Sequence, residues 1–112
     1  MTDVIQVFTT VANKEDADRL ARHMVEQRLA ACAQVIGPIE STYWWQGQME
    51  TAQEYLILLK SRAELYPELE AELKAQHPYE VPEILAVPVS AGNPSYFAWL
   101  RSELRPRRGF TL

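Results

Sequence analysis

Apolar residues fall along this chain in runs and repeats that predict four strands and three helices. Residues 4–8 are rich in β-branched and aromatic side chains and are predicted as the first strand. Asn13 is a suitable N-cap for a helix that follows, and His23 on that helix is predicted to face solvent. The apolar positions of this helix share one face: Ala17, Leu20, Ala21, Met24 and Val25.

A long hairpin is predicted between residues 34 and 60. Its first strand begins at residues 34–36, is interrupted at Gly37 and Pro38 as at a bulge, and resumes at Ile39. Gly47 supplies the positive φ that a tight turn needs, after which the chain returns to Lys60. The hairpin therefore contributes two adjacent antiparallel strands.

The second helix is predicted to start at a capping box formed by Ser61 and Glu64. Pro67 is incompatible with a helix interior, so the helix either begins later than Ser61 or kinks at the proline. It stops near residue 76 or 77, because the residue before Pro78 is excluded from the α region. Its apolar stripe consists of Leu65, Leu69 and Leu73.

Residues 84–89 are predicted as the fourth strand, and Pro88 must lie at an edge or strand end because it cannot donate to a ladder. Asn93 and Pro94 then form an N-cap and first residue of a third helix. The order β-α-β-β-α-β plus a terminal helix is typical of an α+β, ferredoxin-like domain with a four-stranded antiparallel sheet. One such domain is predicted over residues 1–112.

Two predicted strands carry apolar residues at both alternating positions, YLILL at residues 55–59 and ILAV at residues 84–87. A sheet covered on one side alternates apolar and polar residues, so both faces of this sheet are predicted to be buried. Self-association is the simplest way to cover the second face. The aromatic residues near the hairpin turn are predicted to anchor the contact between copies: Tyr43, Trp44 and Trp45.

Composition and charge indicate one ordered domain and argue against nucleic-acid-binding and membrane-spanning proteins. The 112 residues are 47% apolar and carry a net charge of -4, which is typical of one ordered domain and argues against nucleic acid as a partner. No apolar run approaches the ~20 residues of a membrane span. The single cysteine, Cys32, excludes an intrachain disulfide, is predicted to pack as a small apolar residue, and fits a cytoplasmic protein.

Positive charge is concentrated near the C-terminus, in Arg101, Arg105, Arg107 and Arg108. Residues 105–112 are predicted to form a flexible basic tail. Such a tail is either solvated or in contact with a small anion.

Five motifs occur together in one order: LAAC at residues 29–32, Y-x-W-x-G-x-x-E at 43–50, HPYEVPE at 77–83, PV at 88–89 and GN-x-x-Y-x-x-WL at 92–100. In these motifs the chain resembles the CutA divalent-cation-tolerance family, from about residue 4 to residue 104. The resemblance implies a compact trimer similar to the nitrogen-regulatory PII trimers. It also implies a non-enzymatic function in tolerance of divalent cations, copper especially.

The resemblance also bears on metal ligands. Some family members have a proposed copper site made by a cysteine on the first strand and two adjacent histidines, whose matching positions here are Thr9, Gln76 and His77. Imidazole and carboxylate suit copper(II), so a weak site for copper or another divalent cation is predicted at His77 with Glu80 or Glu83. The alternative is that His77 merely ends a helix, where the helix dipole favours an imidazolium.

Three further residues are candidates for clefts between subunits: Glu50, Lys60 and Tyr79. Their alternative role is an interfacial salt bridge and a packed tyrosine. The second functional hypothesis is therefore a PII-like trimeric sensor or scaffold that binds a small molecule or a partner protein in these clefts. Neither hypothesis requires a cofactor.

Overall fold

The structure, a computed structural model, describes residues 2–107. Four strands form one antiparallel sheet in the order β2-β3-β1-β4, which is the ferredoxin-like arrangement predicted from the sequence. The elements are β1 (Val4–Val11), α1 (Lys14–Glu26), β2 (Cys32–Trp45), β3 (Gln48–Arg62), a 3-10 turn (Ala63–Leu65), α2 (Tyr66–Gln76), β4 (Leu85–Pro88) and α3 (Pro94–Glu103).

The β2–β3 hairpin is the longest feature of the sheet. Gln46 and Gly47 have φ values of 51° and 80°, so the two-residue turn has the positive φ at both positions that matches the twist of the strands. Pairing shifts register between Ile36 and Ile39, at the predicted interruption. The hairpin therefore forms as the sequence predicts and extends beyond the rest of the sheet.

One face of the sheet, which we call the closed face, is covered by α1 and α2. Asn13 caps α1 as predicted, because its side chain accepts a hydrogen bond from the backbone N–H of Asp16 at 2.8 Å. The apolar stripes of both helices pack on alternate residues of β1 and β3. The buried residues of this core include Val7, Leu20, Met24, Ile57, Leu59, Leu69 and Leu73.

The opposite face, which we call the open face, is covered only at one end. There α3 packs Phe97, Leu100 and Leu104 against Val4 and Leu65. Farther along the sheet, nothing in residues 2–107 covers this face. Its burial against another copy, as the sequence predicted, remains a prediction. Phe8, Leu56 and Leu58 are half-buried there, and Ile36, Leu85 and Val87 are exposed.

The second helix begins later than its predicted capping box. Ser61 is still in β3, where its buried hydroxyl donates to the carbonyl of Leu29 at 2.7 Å, so the predicted capping box is wrong. A 3-10 turn follows, and α2 starts at Tyr66 with Pro67 in its first turn. An N–H in the first turn has no acceptor within the helix, so the missing N–H of Pro67 costs no hydrogen bond.

Two side chains of α1 differ from prediction. His23 is not a free surface residue, because its Nε2 lies 2.5 Å from a carboxylate oxygen of Glu72 on α2. Val25 is 37% exposed although it falls on the apolar stripe. The first difference comes from how α1 and α2 pack side by side, which helical periodicity does not specify.

The predicted tail begins within the folded domain. Arg105 donates to a carboxylate oxygen of Glu68 at 3.3 Å, and its carbonyl accepts from the guanidinium of Arg62. Arg101 likewise contacts Asp3 at 2.6 Å, so Arg101 and Arg105 are both paired with acidic residues. Residues 108–112 lie outside the described residues.

Among residues 2–107, none of the three helices is both long enough and apolar enough to cross a membrane.

Candidate functional site

The site is a cavity of about 630 Å³ on the open face, between the β2–β3 hairpin and the corner that follows α2. This volume is within the range of small-molecule sites. Small polar residues of β1 and β2 form part of its wall. The remaining wall is mainly aromatic and acidic, from Tyr43, Trp45, Tyr79, Glu54, Glu80 and Glu83.

Strand alternation explains why these side chains meet. Glu54 is two residues before Leu56 in β3, so it projects to the open face. The bulge resets the alternation of β2, and Tyr43 and Trp45 then lie on the same side as Glu54. The opposite wall comes from the corner between α2, which ends at Gln76, and β4, which starts at Leu85. This corner contributes Tyr79, Glu80 and Glu83.

Glu54 and Tyr79 form the polar centre of the cavity wall. Glu54 is only 8% exposed, and its Oε2 accepts a hydrogen bond from the Tyr79 hydroxyl at 2.7 Å. Burial raises the pKa of Tyr79, and the neighbouring Glu54 carboxylate raises it further. The phenol therefore stays protonated and acts as a donor to the carboxylate.

His77 lies beside the cavity, at the start of the corner, and is buried. Its Nδ1 accepts from the backbone N–H of Tyr79 at 3.1 Å, so the ring proton is on Nε2. Nε2 is 3.0 Å from both the Thr10 carbonyl oxygen and the Thr9 hydroxyl. Burial lowers the pKa of His77, an effect that the bond to the Thr10 carbonyl opposes. The neutral imidazole of His77 thus links the end of α2 to β1.

The predicted metal ligands are not brought together within the single chain. Glu80 and Glu83 are exposed and line the cavity, but His77 does not line it, and both of its ring nitrogens are already hydrogen bonded. Thr9 is buried and contacts His77. Within residues 2–107 no group of three or more His, Cys, Asp or Glu side chains is placed to hold a metal ion. The metal contact remains a prediction.

The three cleft candidates lie apart. Tyr79 lines the main cavity, whereas Lys60 lines a second cavity of about 370 Å³ and donates to Oε1 of Gln34 at 2.8 Å. Glu50 is exposed and lines neither cavity. No salt bridge forms between Glu50 and Lys60 in this chain.

The aromatic residues near the turn divide between two sides of the hairpin. Tyr43 and Trp45 line the main cavity and are 42% and 48% exposed. Trp44 falls on the other side by alternation and is 74% exposed. Their role as anchors between copies remains a prediction.

Sequence reasoning missed Glu54, the most buried acidic residue of the cavity. A signal was present, because Glu54 has the same alternation as Leu56 and Leu58 and precedes an uninterrupted apolar run. A carboxylate at a position otherwise kept apolar indicates a specific partner. The partner, Tyr79, is 25 residues away in sequence and could not be identified from this pattern.

Comparison with known proteins identifies the family. The profile described as CutA1 divalent ion tolerance protein matches residues 5–103. The chain belongs to the CutA1 family. This agrees with the motifs that extend from β1 to α3, and it confirms the family resemblance found in the sequence.

Curated CutA relatives are similar over most of this chain. The divalent-cation tolerance protein CutA of Thermus thermophilus is 44% identical over 95 residues, which are 85% of this chain and 92% of that protein. The chloroplastic protein CutA 1 of Oryza sativa is 43% identical over 101 residues, 90% of this chain. The chain spans only 57% of the length of the rice protein.

Solved CutA structures have the same fold. CutA from Xylella fastidiosa superposes with a TM-score of 0.90 at 39% identity, covering 93% of this chain and 100% of that one. CutA1 from Oryza sativa gives a TM-score of 0.89 at 42% identity, covering 91% and 94%. The domain is therefore a CutA1 fold with its sheet and three helices intact.

Proposed function

We propose that this protein serves in tolerance of divalent cations, as a non-enzymatic homotrimer that binds copper or another divalent ion weakly. The match to the CutA1 family over residues 5–103 carries this proposal. It is supported by the names of the relatives from Thermus thermophilus and Pectobacterium atrosepticum, both called divalent-cation tolerance proteins. The acidic cavity supplies carboxylates of the kind that divalent ions accept.

The geometry favours weak binding at Glu80 and Glu83. Both carboxylates are exposed at the cavity wall, whereas a metal ion could bind His77 only by displacing the Thr10 carbonyl or the Tyr79 N–H from its ring. Two carboxylates and water form an incomplete ligand set for copper. His77 then contributes only where ion binding breaks these hydrogen bonds.

Calorimetric titration of copper(II) tests this assignment. We expect the double variant Glu80→Gln, Glu83→Gln to bind about tenfold more weakly than the wild type, a loss of ~1.4 kcal/mol. His77→Ala should change the affinity much less. A large loss for His77→Ala would instead make the imidazole the main ligand, and no copper binding by the wild type would overturn the proposal.

The trimer is supported by the apolar area of the open face, where Leu85 and Val87 are 58% and 45% exposed. Sedimentation at micromolar concentration should give a particle of about three times the 12.8 kDa chain mass. Leu85→Glu places a charge on this area and should dissociate the particle. Val25→Glu, which adds the same charge on α1, is the control and should leave the mass unchanged. A folded 12.8 kDa wild-type particle would contradict the trimer.

A second candidate function is that of a PII-like sensor or scaffold whose clefts bind a small molecule or a partner protein. The observation that favours it is the main cavity, whose volume of about 630 Å³ far exceeds that of one metal ion. A thermal-shift panel of metal ions and metabolites separates the two functions. A copper-selective shift supports the first, and a metabolite shift without metal supports the second.

We place the protein in the cytoplasm, in agreement with its single cysteine, which cannot form an intrachain disulfide. The relatives include proteins named as chloroplastic, so location varies within the family. Fractionation of cells that express the native protein tests this placement, and recovery outside the soluble cytoplasmic fraction would contradict it.

A further inference from the structure

The charge of the main cavity is one-sided. Glu54, Glu80 and Glu83 contribute carboxylates to its wall, and no lysine, arginine or histidine is among its described lining residues. A concave, partly apolar wall with charge of one sign concentrates ligands of the opposite sign. The chemistry of the cavity therefore selects for a cation.

Glu54 is the buried carboxylate of this cavity wall. It is more than nine-tenths buried, which is costly for a carboxylate unless its oxygens have partners. Oε2 accepts a hydrogen bond from the Tyr79 hydroxyl at 2.7 Å, and among the described residues no side-chain nitrogen or oxygen is both buried and unpaired. A cation that enters the cavity therefore meets a carboxylate whose position is fixed by Tyr79.

The aromatic residues indicate what kind of cation fits. Tyr43, Trp45 and Tyr79 line the same cavity as Glu54. Aromatic faces attract ammonium groups, and the attraction grows when the cation is desolvated. The Tyr79 hydroxyl already faces the carboxylate, so an ammonium that pairs with Glu54 lies beside this ring.

A bare metal ion fits these features less well. Metal ions require several oxygen or nitrogen ligands converging at about 2–2.6 Å, and no group of three or more His, Cys, Asp or Glu side chains in the described chain is so placed. A cavity of about 630 Å³ also holds far more than one ion. A larger cation with apolar surface uses both the aromatic wall and the carboxylates.

We propose that this cavity binds a small organic cation, an amine or quaternary ammonium, with Glu54 as its counter-charge and Tyr43, Trp45 and Tyr79 as its aromatic wall. The inference rests on the second candidate function, a ligand-binding cavity, and names the chemical class of its ligand. It does not require the metal function.

Choline and its neutral isostere 3,3-dimethylbutan-1-ol provide a matched pair of probes. They have nearly the same shape, but only choline is charged. Titration calorimetry on the full-length native assembly should show choline binding at least about tenfold more tightly than the alcohol, because only the ammonium gains the carboxylate and cation–π terms. Equal affinities for the two probes, or no heat with choline, would overturn the proposal.

Two pairs of variants locate the binding. Glu54→Gln keeps the shape of the side chain but removes its charge, and should weaken choline about tenfold without affecting the alcohol. Glu40→Gln, on the same hairpin but outside the cavity wall, is the control and should bind choline like the wild type. Choline affinity that is unchanged by Glu54→Gln would assign the heat to another site and overturn the proposal.

The aromatic pair is Trp45→Leu against Trp44→Leu. Trp45 lines the cavity and Trp44 does not, so only the first variant should weaken choline, by several-fold. This pair carries the test if Glu54→Gln does not fold, and sedimentation of each variant checks that the assembly is intact. Equal choline affinities for the two tryptophan variants would contradict the aromatic wall.

The metal function and this inference fail separately. Copper bound normally by a protein that shows no preference for choline over its isostere would reject the organic cation and leave the metal function in place. Choline binding that depends on Glu54 in a protein that does not bind copper would do the reverse.

Discussion

The two faces of the sheet are built from similar strands but are completed differently. On the closed face, Val7, Ile57 and Leu59 are inaccessible to solvent under α1 and α2. On the open face, α3 covers one end only, and Leu85 and Val87 remain exposed. Successive residues of β1 and β3 face these two environments in turn along each strand.

The features with a proposed function lie on the open side of the sheet. The closed face provides a core that one chain completes by itself. The open face and its hairpin carry the main cavity, the exposed apolar area and the aromatic residues near the turn. Exposed apolar side chains and clustered carboxylates do not stabilise an isolated chain. The open face, which has both, is therefore available for a ligand or another copy.

The largest effect should come from the closed face. Leu20→Ala removes a side chain that is 0% exposed, and we expect the free energy of unfolding to fall by about 3 kcal/mol from lost burial and the cavity that remains. Val25→Ala, on the same helix but 37% exposed, should cost less than about 1 kcal/mol. Urea unfolding measures both. Similar losses would mean that the closed face is not the main source of stability.

Two glycines lie against the two apolar clusters, the closed-face core and the smaller cluster around α3. A Cβ at Gly37 would lie 2.4 Å from Cδ2 of Tyr55, a ring that packs against the closed core. A Cβ at Gly92 would lie 2.5 Å from Cζ of Phe97, the tip of a ring in the smaller α3 cluster.

Gly37→Ala should therefore cost about 2 kcal/mol, and Gly92→Ala less, because a ring tip at the edge of a small cluster moves more easily than the base of a ring held by the core. Thermal unfolding of the two variants measures the difference. A larger loss for Gly92→Ala would show that the α3 cluster is the more rigid of the two.

The smallest effect concerns His77, at the corner where the two faces meet. Burial holds its pKa below the ordinary value, so the unfolded chain binds a proton at higher pH than the folded one. The stability that this residue contributes is fully present above the unfolded pKa of about 6.5 and is lost as pH falls through the lowered folded pKa.

His77→Gln should therefore lose less stability than the wild type when pH is lowered through this range, although it is less stable at neutral pH. Urea unfolding of both proteins at several pH values gives the two slopes, and other titrating groups cancel in the difference. Equal slopes would contradict a neutral, buried His77.

The sequence specifies the local features of this fold, namely its helix faces, turns and caps. The spacing of Leu20 and Met24 specifies a helix face, Gly47 specifies the turn, and Asn13 and Asn93 specify two caps, because each acts on its own neighbours along the chain. The motifs at residues 29–32 and 77–83 were enough to identify the family. These features depend on separations of a few residues.

Contacts between distant residues required the tertiary structure. Glu54 meets Tyr79, His77 meets Thr10, and Ser61 bonds to Leu29 instead of capping a helix, all across separations of 25 or more residues. Periodicity gives the face on which a side chain lies, but not which side chain from another element meets it there. Local sequence patterns thus specify the elements, their order and the family. Tertiary packing specifies which groups line the cavity, because burial and pairing are set by neighbours in space.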